Sequence, residues 1–202
     1  RKDPEAAVSY YAEVGYPKGA VIEYLLTLAN SNYEQWRDCN KGADNKEFEF
    51  KLSKMSKAGA LFDLVKLNDI SKNYISTLDT DTVFSEIYEW AKNNDEAFFK
   101  LIDSDKDYAK KIFGIERGGQ KPRKELVKWD EAPKYAEYFY DEVWDKKRDF
   151  PENLSNADMQ EILENYKNVY KEDETAEEWF PKVKEMSESL GYAGAPKLYK
   201  KN

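Results

Sequence analysis

FDLVKLNDISKNYI, residues 62–75, sets the apolar side chains of Leu64, Leu67, Ile70, Tyr74 and Ile75 at three- and four-residue spacing, and Leu78 continues the series. That period places them on one face of an α-helix; a half-buried strand would alternate instead. Asp63 stands just ahead, where its carboxylate can accept from the first N–H groups of the helix. Working outward, the same period predicts a helix over 18–29 from Val21, Ile22, Leu25, Leu26 and Leu28, a face broad enough for burial on more than one side. The leading residues predict another: Asp3 as cap, Pro4 where a missing N–H costs nothing, and Val8, Tyr11 and Ala12 on one face up to Gly15. Residues 30–46 read as loop around a short helical piece at 33–37. Phe48 and Phe50 suggest a short extended stretch.

Toward the other end, Val83, Phe84, Ile87, Trp90 and Ala91 predict a helix, followed by helices over 97–102 and 108–115, with Gly118 and Gly119 as the stop. Further helices are expected over 124–129 and 135–144. DKKRDFPENLSNAD reads as a linker, which puts a boundary near 145–155. Beyond it Met159, Ile162, Leu163, Tyr166, Val169 and Tyr170 form an amphipathic helix, and Thr175 with Glu178 makes a capping box for another. Pro181 fits that last helix awkwardly, because it removes a backbone donor from the interior. The expectation is an all-α helical bundle divided into 1–80, 81–150 and 151–202.

Composition excludes several classes of function. The chain has 202 residues, of which 41% are hydrophobic and 15% aromatic, enough for a substantial core despite 36% charged residues. No window approaches the roughly 18 to 20 apolar residues of a membrane span, and the start lacks the apolar stretch of a signal peptide, so a soluble, cytoplasmic monomer is expected. There is no histidine, and Cys39 is the single cysteine. Histidine-based triads and zinc sites are thereby excluded, and Cys39, in a polar loop, reads as an incidental thiol. The acidic pairs Asp79 with Asp81 and Glu172 with Asp173 read as solvated caps and faces rather than acid/base or metal sites. No G-x-S-x-G pattern surrounds a serine. Neither catalytic nor metal-binding residues are expected.

The net charge of −8 hides a segregation. Residues 106–128 hold eight basic residues, Lys106, Lys110, Lys111, Arg117, Lys121, Arg123, Lys124 and Lys128, against three acidic ones. A local excess of this size points to an anionic ligand. Within GIERGGQKPRKELVKW, residues 114–129, glycines permit close approach of a ligand and arginines can fork onto phosphates or base edges. Arg117, Gln120, Lys121 and Arg123 are therefore candidate RNA contacts, whereas Trp129, at helical spacing from Leu126, is expected in the core. A helical protein-interaction domain, docking a partner through the aromatic residues of 135–144, is the alternative.

The segment 62–75 resembles the pattern F-D-x-x-K-L-x-W-x-N-x-x-Y-I of bacterial glutamyl-tRNA synthetases, with matches at Phe62, Asp63, Lys66, Leu67, Tyr74 and Ile75 and departures at Asp69 and Ser71. SKAGAL, residues 56–61, is similar to the lead-in of that pattern, so Lys54-Met55-Ser56-Lys57 reads as a basic loop and not as the ATP-binding K-M-S-K-S loop of class I synthetases. Residues 1–28 resemble the stretch immediately after the family's own K-[LI]-S-K-R loop. KPRKELVKW and EEWFPKVKEMSESLGY extend the resemblance through the anticodon-binding region to the final helical domain. It implies an α-helical cage, a stem-contact region over 1–80 and anticodon-binding helices beyond it. The family's catalytic domain, with its ATP and glutamate sites, would lie before Arg1, which leaves no cofactor in this chain. The partner implied is tRNA specific for glutamate, and the resemblance leaves open whether glutamine-specific tRNA is also bound. The K-P-R match makes Arg123 the equivalent of the arginine that distinguishes C from U at the third anticodon position, with Arg117 and Gln120 as competitors. Lys121 and Lys124 would accompany it, and Lys57, Lys66 and Lys72 would contact the RNA backbone near the stem.

Overall fold

A computed structural model describes residues 4–55, 61–119, 121–144 and 154–192. The chain divides into two compact units, 1–144 and 145–202. All regular structure among the described residues is helical.

In the first unit α1 (Val8–Glu13), α2 (Lys18–Ala29) and α3 (Tyr33–Cys39) precede α4 (Leu64–Thr77), α5 (Thr80–Asn94), α6 (Glu96–Ser104), α7 (Lys106–Gly114) and the short α8 (Ala132–Ala136). The four helices from α4 to α7 each begin on an aspartate, Asp63, Asp79, Asp95 and Asp105, whose carboxylate accepts from backbone N–H groups of the first turn. Each such cap satisfies a donor that the helix leaves orphaned, at about 1 kcal/mol apiece. With caps set so close together, α5, α6 and α7 fold back on one another through the single-residue connections Asp95 and Asp105.

Two apolar cores result. The larger joins Ile75 of α4 to Val83, Ile87, Ala91, Phe98, Ile102, Ala109, Ile112 and Phe113 of the next three helices, and closes over them with Leu126, Trp129, Ala132, Ala136 and Tyr140. The smaller holds Tyr16, Tyr24 and Leu67, with Val127 packed against it. The N-terminal part of α4 thus belongs to the smaller core and its C-terminal part to the larger, and the segment 126–129 reaches both.

The helix expected over residues 62–78 is present, as are those over 33–37, 97–102 and 108–115. So are those over 18–29, from Val83 to Ala91, from Met159 onward and behind the Thr175 cap; the departures lie in other segments. Residues 124–128 are not helical. The N–H of Val127 goes to the Glu131 carboxylate at 2.8 Å, and its carbonyl accepts from the Ser71 hydroxyl at 2.5 Å, so the groups a helix would pair are engaged elsewhere. Leu126 and Trp129 are buried as their apolar character requires, but from an extended segment entering a single 3-10 turn at Trp129–Glu131. The helix expected over 135–144 is α8, which tightens into a 3-10 turn at Glu137–Phe139 and ends at the extended Tyr140. There the Tyr108 hydroxyl donates to the Phe139 carbonyl at 2.8 Å, and Tyr140 turns into the core.

At the leading end a 3-10 turn, Pro4–Ala6, comes before α1, and Asp3 lies outside the described residues. α2 buries Ala20, Glu23 and Tyr24, while Leu25 is 56% exposed and Ile22 also faces outward, so its apolar face is not enclosed on two sides. Burial of Glu23 is permitted by Arg37, 2.7 Å away, whose guanidinium also stacks over the rings of Trp36 and Tyr33.

The second unit pairs α9 (Asn156–Val169) with α10 (Ala176–Ser189). Ser155 with Asp158, and Thr175 with Glu178, form reciprocal capping boxes at their starts. Pro181 lies inside α10 without ending it. The bond it deletes would have fallen on the carbonyl of Glu177, an exposed residue, where water can replace it.

Candidate nucleic-acid interface

The basic segment takes its place from α4 and α7. α7 ends at Gly114, and Glu116 then adopts a left-handed φ of 52°, which turns the chain back. Outside glycine that conformation is uncommon, and here several bonds surround it. The N–H of Arg117 donates to the Gly114 carbonyl at 3.2 Å, and the N–H of Arg123 donates to the Glu116 carbonyl at 3.3 Å. The Arg117 side chain folds inward: its Nε donates to the Phe113 carbonyl and its Nη1 to the Ile75 carbonyl, each at 2.9 Å. Those carbonyls belong to the last turns of α7 and α4, where the helix dipole favours a cation.

From Lys121 the chain runs extended along α4. Lys124 Nζ donates to Asn73 Oδ1 at 2.7 Å, Ser71 holds Val127, and the N–H of Trp129 donates to the Gly15 carbonyl at 2.8 Å. Trp90 donates from its indole to the Glu13 carbonyl at 2.9 Å, so the end of α1 is fixed by two tryptophans. Ser71 is fully buried. It departs from the sequence pattern noted above, and its small hydroxyl lets the extended segment lie close to the helix.

Arg123 is exposed at the outer edge of this segment, with Nε 2.8 Å from Glu116 and 3.4 Å from Glu125. Burial pulls its pKa down, but the charges of Glu125 and Glu116 and the neighbouring Tyr135 outweigh it and leave the guanidinium more firmly protonated. Lys121 and Lys111 are exposed, and among the described residues neither is ion-paired. Lys106 pairs with Asp103 at 3.0 Å, Lys128 with Asp130 at 2.5 Å, and Lys110 with Asp81. Much of the local positive excess is therefore compensated by acidic neighbours from other parts of the fold. Such exposed pairs are weak because water and salt screen them, so exchanging a carboxylate for a phosphate costs little. An open groove of ≈ 520 Å³ runs beside them, lined by Thr80, Asp107, Lys110, Lys111, Gly114 and Ile115.

A second cationic cluster lies along α4. The Asp69 carboxyl is held below the usual range by a hydrogen bond from Lys72, 2.5 Å away, and by the charges of Lys72, Lys66 and Lys124. Lys66 also pairs with Glu34. Among the described residues Lys72 alone contacts this carboxylate, while Lys124 reaches α4 at Asn73, so Lys66, Lys72 and Lys124 all lie on or against α4. Of the sequence-derived candidates, Lys121, Arg123 and Lys124 share the segment after Gly119, Lys66 and Lys72 lie on α4, which that segment contacts at Ser71 and Asn73, and Arg117 is turned toward the protein. Lys57 and Gln120 lie outside the described residues. Sequence reasoning did not single out Ser71, Glu116 or Asp69 as parts of the site. For Ser71 and Asp69 the signal was their departure from an expected pattern; for Glu116 there was none.

Among the described residues no group of histidine, cysteine or carboxylate side chains is arranged to hold a metal ion, and no helix is long and apolar enough to cross a membrane.

No family model matches the chain. Individual relatives do. The chain is 44% identical over its whole length to a glutamate–tRNA ligase of Clostridium perfringens, of which it spans 38%. It is 46% identical to one of Clostridium beijerinckii, again over its whole length and 37% of the relative. A glutamate–tRNA ligase of Sorangium cellulosum is 38% identical over 99% of the chain and 35% of its own length. The chain therefore spans a little over a third of the curated relatives it matches.

Proposed function

We propose, from the premise that this chain is homologous along its whole length to part of the glutamate–tRNA ligases, that it binds tRNA and reads the anticodon with the segment 121–124. Arg123 is placed at the third anticodon base, where a guanidinium fork pairs with one pyrimidine edge and rejects the other donor pattern. Lys121 and Lys124 take phosphates beside it, and Lys66 and Lys72 take the backbone toward the stem. The protein contributes affinity and identity to a ligation of glutamate to tRNA whose chemistry lies outside the residues described. The observation that carries this reading is the exposed guanidinium of Arg123, on a basic segment tied to α4 by the Lys124–Asn73 and Ser71–Val127 hydrogen bonds.

Arg123→Ala is expected to reduce discrimination between tRNAs differing only at the third anticodon base by roughly tenfold or more, the effect of losing a forked base contact at about 1–3 kcal/mol. Fluorescence anisotropy with glutamate-accepting tRNA and its anticodon variant checks this. Equal discrimination by the wild type and the variant protein would remove Arg123 from the role.

A protein-docking reading has one observation in its favour: Tyr138 and Val143 are half exposed, with Phe139 and Trp144 close behind. An apolar interface of that kind would bind with little dependence on salt, unlike RNA.

A further inference from the structure

We propose that Arg117 is a positioning residue for Arg123: its guanidinium joins the C-terminal ends of α4 and α7 and so fixes the turn from which Arg123 is presented. The inference rests on the tRNA-binding reading above. It also separates two arginines that are equivalent by charge alone.

Three observations support it. The side chain of Arg117 donates inward to the carbonyls of Phe113 and Ile75, on two different helices, both 2.9 Å away. A guanidinium supplies two such bonds in a fixed plane, and both acceptors are helix-terminal carbonyls, that of Ile75 also accepting from the Leu78 N–H at 3.2 Å. The residue before it, Glu116, is held at φ 52°, an energetically poor backbone state that persists only where the surroundings impose it. Finally, Glu116 is the residue that holds Arg123 twice, through its carbonyl to the Arg123 N–H at 3.3 Å and through its carboxylate to Arg123 Nε at 2.8 Å. The chain of contacts runs from α4 and α7 through Arg117 to the backbone of Glu116, and from Glu116 to Arg123. Two of the three guanidinium nitrogens of Arg117, Nε and Nη1, are already engaged with the protein.

The test uses the full chain in two measurements. In the free protein, hydrogen exchange of the Arg123 amide reports the turn directly, because that amide is bonded to Glu116. Arg117→Ala is expected to speed its exchange roughly tenfold, the factor that goes with the loss of about one hydrogen bond, while the amides in the middle of α5 keep theirs. Arg117→Lys, which can reach one carbonyl but not both, should fall between, and it keeps the question open to measurement if the alanine variant folds poorly. With glutamate-accepting tRNA, Arg117→Ala should lose third-base discrimination as Arg123→Ala does, yet leave the dependence of log K on log salt unchanged. A direct phosphate contact would instead flatten that slope by about 0.7–0.9. Unchanged exchange at Arg123, or a flattened slope, would overturn the assignment. Failure of the wild type to bind tRNA would overturn the RNA reading alone, since the exchange measurement still decides whether Arg117 sets the turn.

Discussion

Trp129→Ala should destabilise the first unit by about 3–5 kcal/mol, the cost of deleting a large buried aromatic and leaving a cavity. The indole is 3% exposed and belongs to the core that joins α4 through α8. Its loss would do more than open a void. Trp129 ends the extended segment 121–128, and its neighbours Leu126 and Val127 enter two different cores. Burial also pushes the Glu86 carboxyl up, an effect that the nearby Trp129 side chain partly offsets. A domain of this size has roughly 5–15 kcal/mol in total, so the variant should sit near the edge of folding. Urea unfolding followed by far-ultraviolet circular dichroism measures this, and a midpoint within error of the wild type would show that Trp129 is not a core residue.

Gly15→Ala should cost about 2–5 kcal/mol through two additive effects. Gly15 has φ +84°, where a side chain is disfavoured by about 1–2 kcal/mol. A Cβ there would also lie 2.8 Å from the Trp129 nitrogen and 3.0 Å from the Asp130 nitrogen. Both are backbone atoms and cannot rotate away, so the Gly15 to Trp129 hydrogen bond must break or the segment must shift, an overpacking cost of about 1–3 kcal/mol. Gly42→Ala is the matched control: Gly42 has φ +80° but nothing within 4 Å of the added carbon. It should show the backbone cost alone. Equal losses for the two variants, read from the same urea titration, would mean that the close approach of Trp129 contributes nothing.

These two residues also show what could be read from sequence and what could not. The helices were legible wherever apolar spacing coincided with a capping aspartate, as at Asp63 and Leu64 to Ile75, because local hydrogen bonding and burial there favour the same structure. Over 124–129 they do not. Leu126 and Trp129 have helical spacing, but Pro122 precedes them and Val127 is claimed by Ser71 and Glu131, contacts more than fifty and only four residues away respectively. Spacing correctly marked these side chains as buried and wrongly supplied a helix to bury them. Similarly, α2 carries a run of leucines, yet its enclosed side is built on Ala20, Glu23 and Tyr24, since Arg37 makes a buried glutamate tolerable. The basic candidates were found by charge. Charge could not say that Arg117 points inward while Arg123 stays at the surface, because that depends on where the ends of α4 and α7 meet.

The most direct test of RNA binding by the basic segment is the affinity of the full chain for glutamate-accepting tRNA across a salt series. Three or more phosphate contacts from Lys121, Lys124, Lys66 and Lys72 predict that log K falls with log salt at a slope steeper than about −2. A slope near zero, or no binding at low salt, would contradict the account.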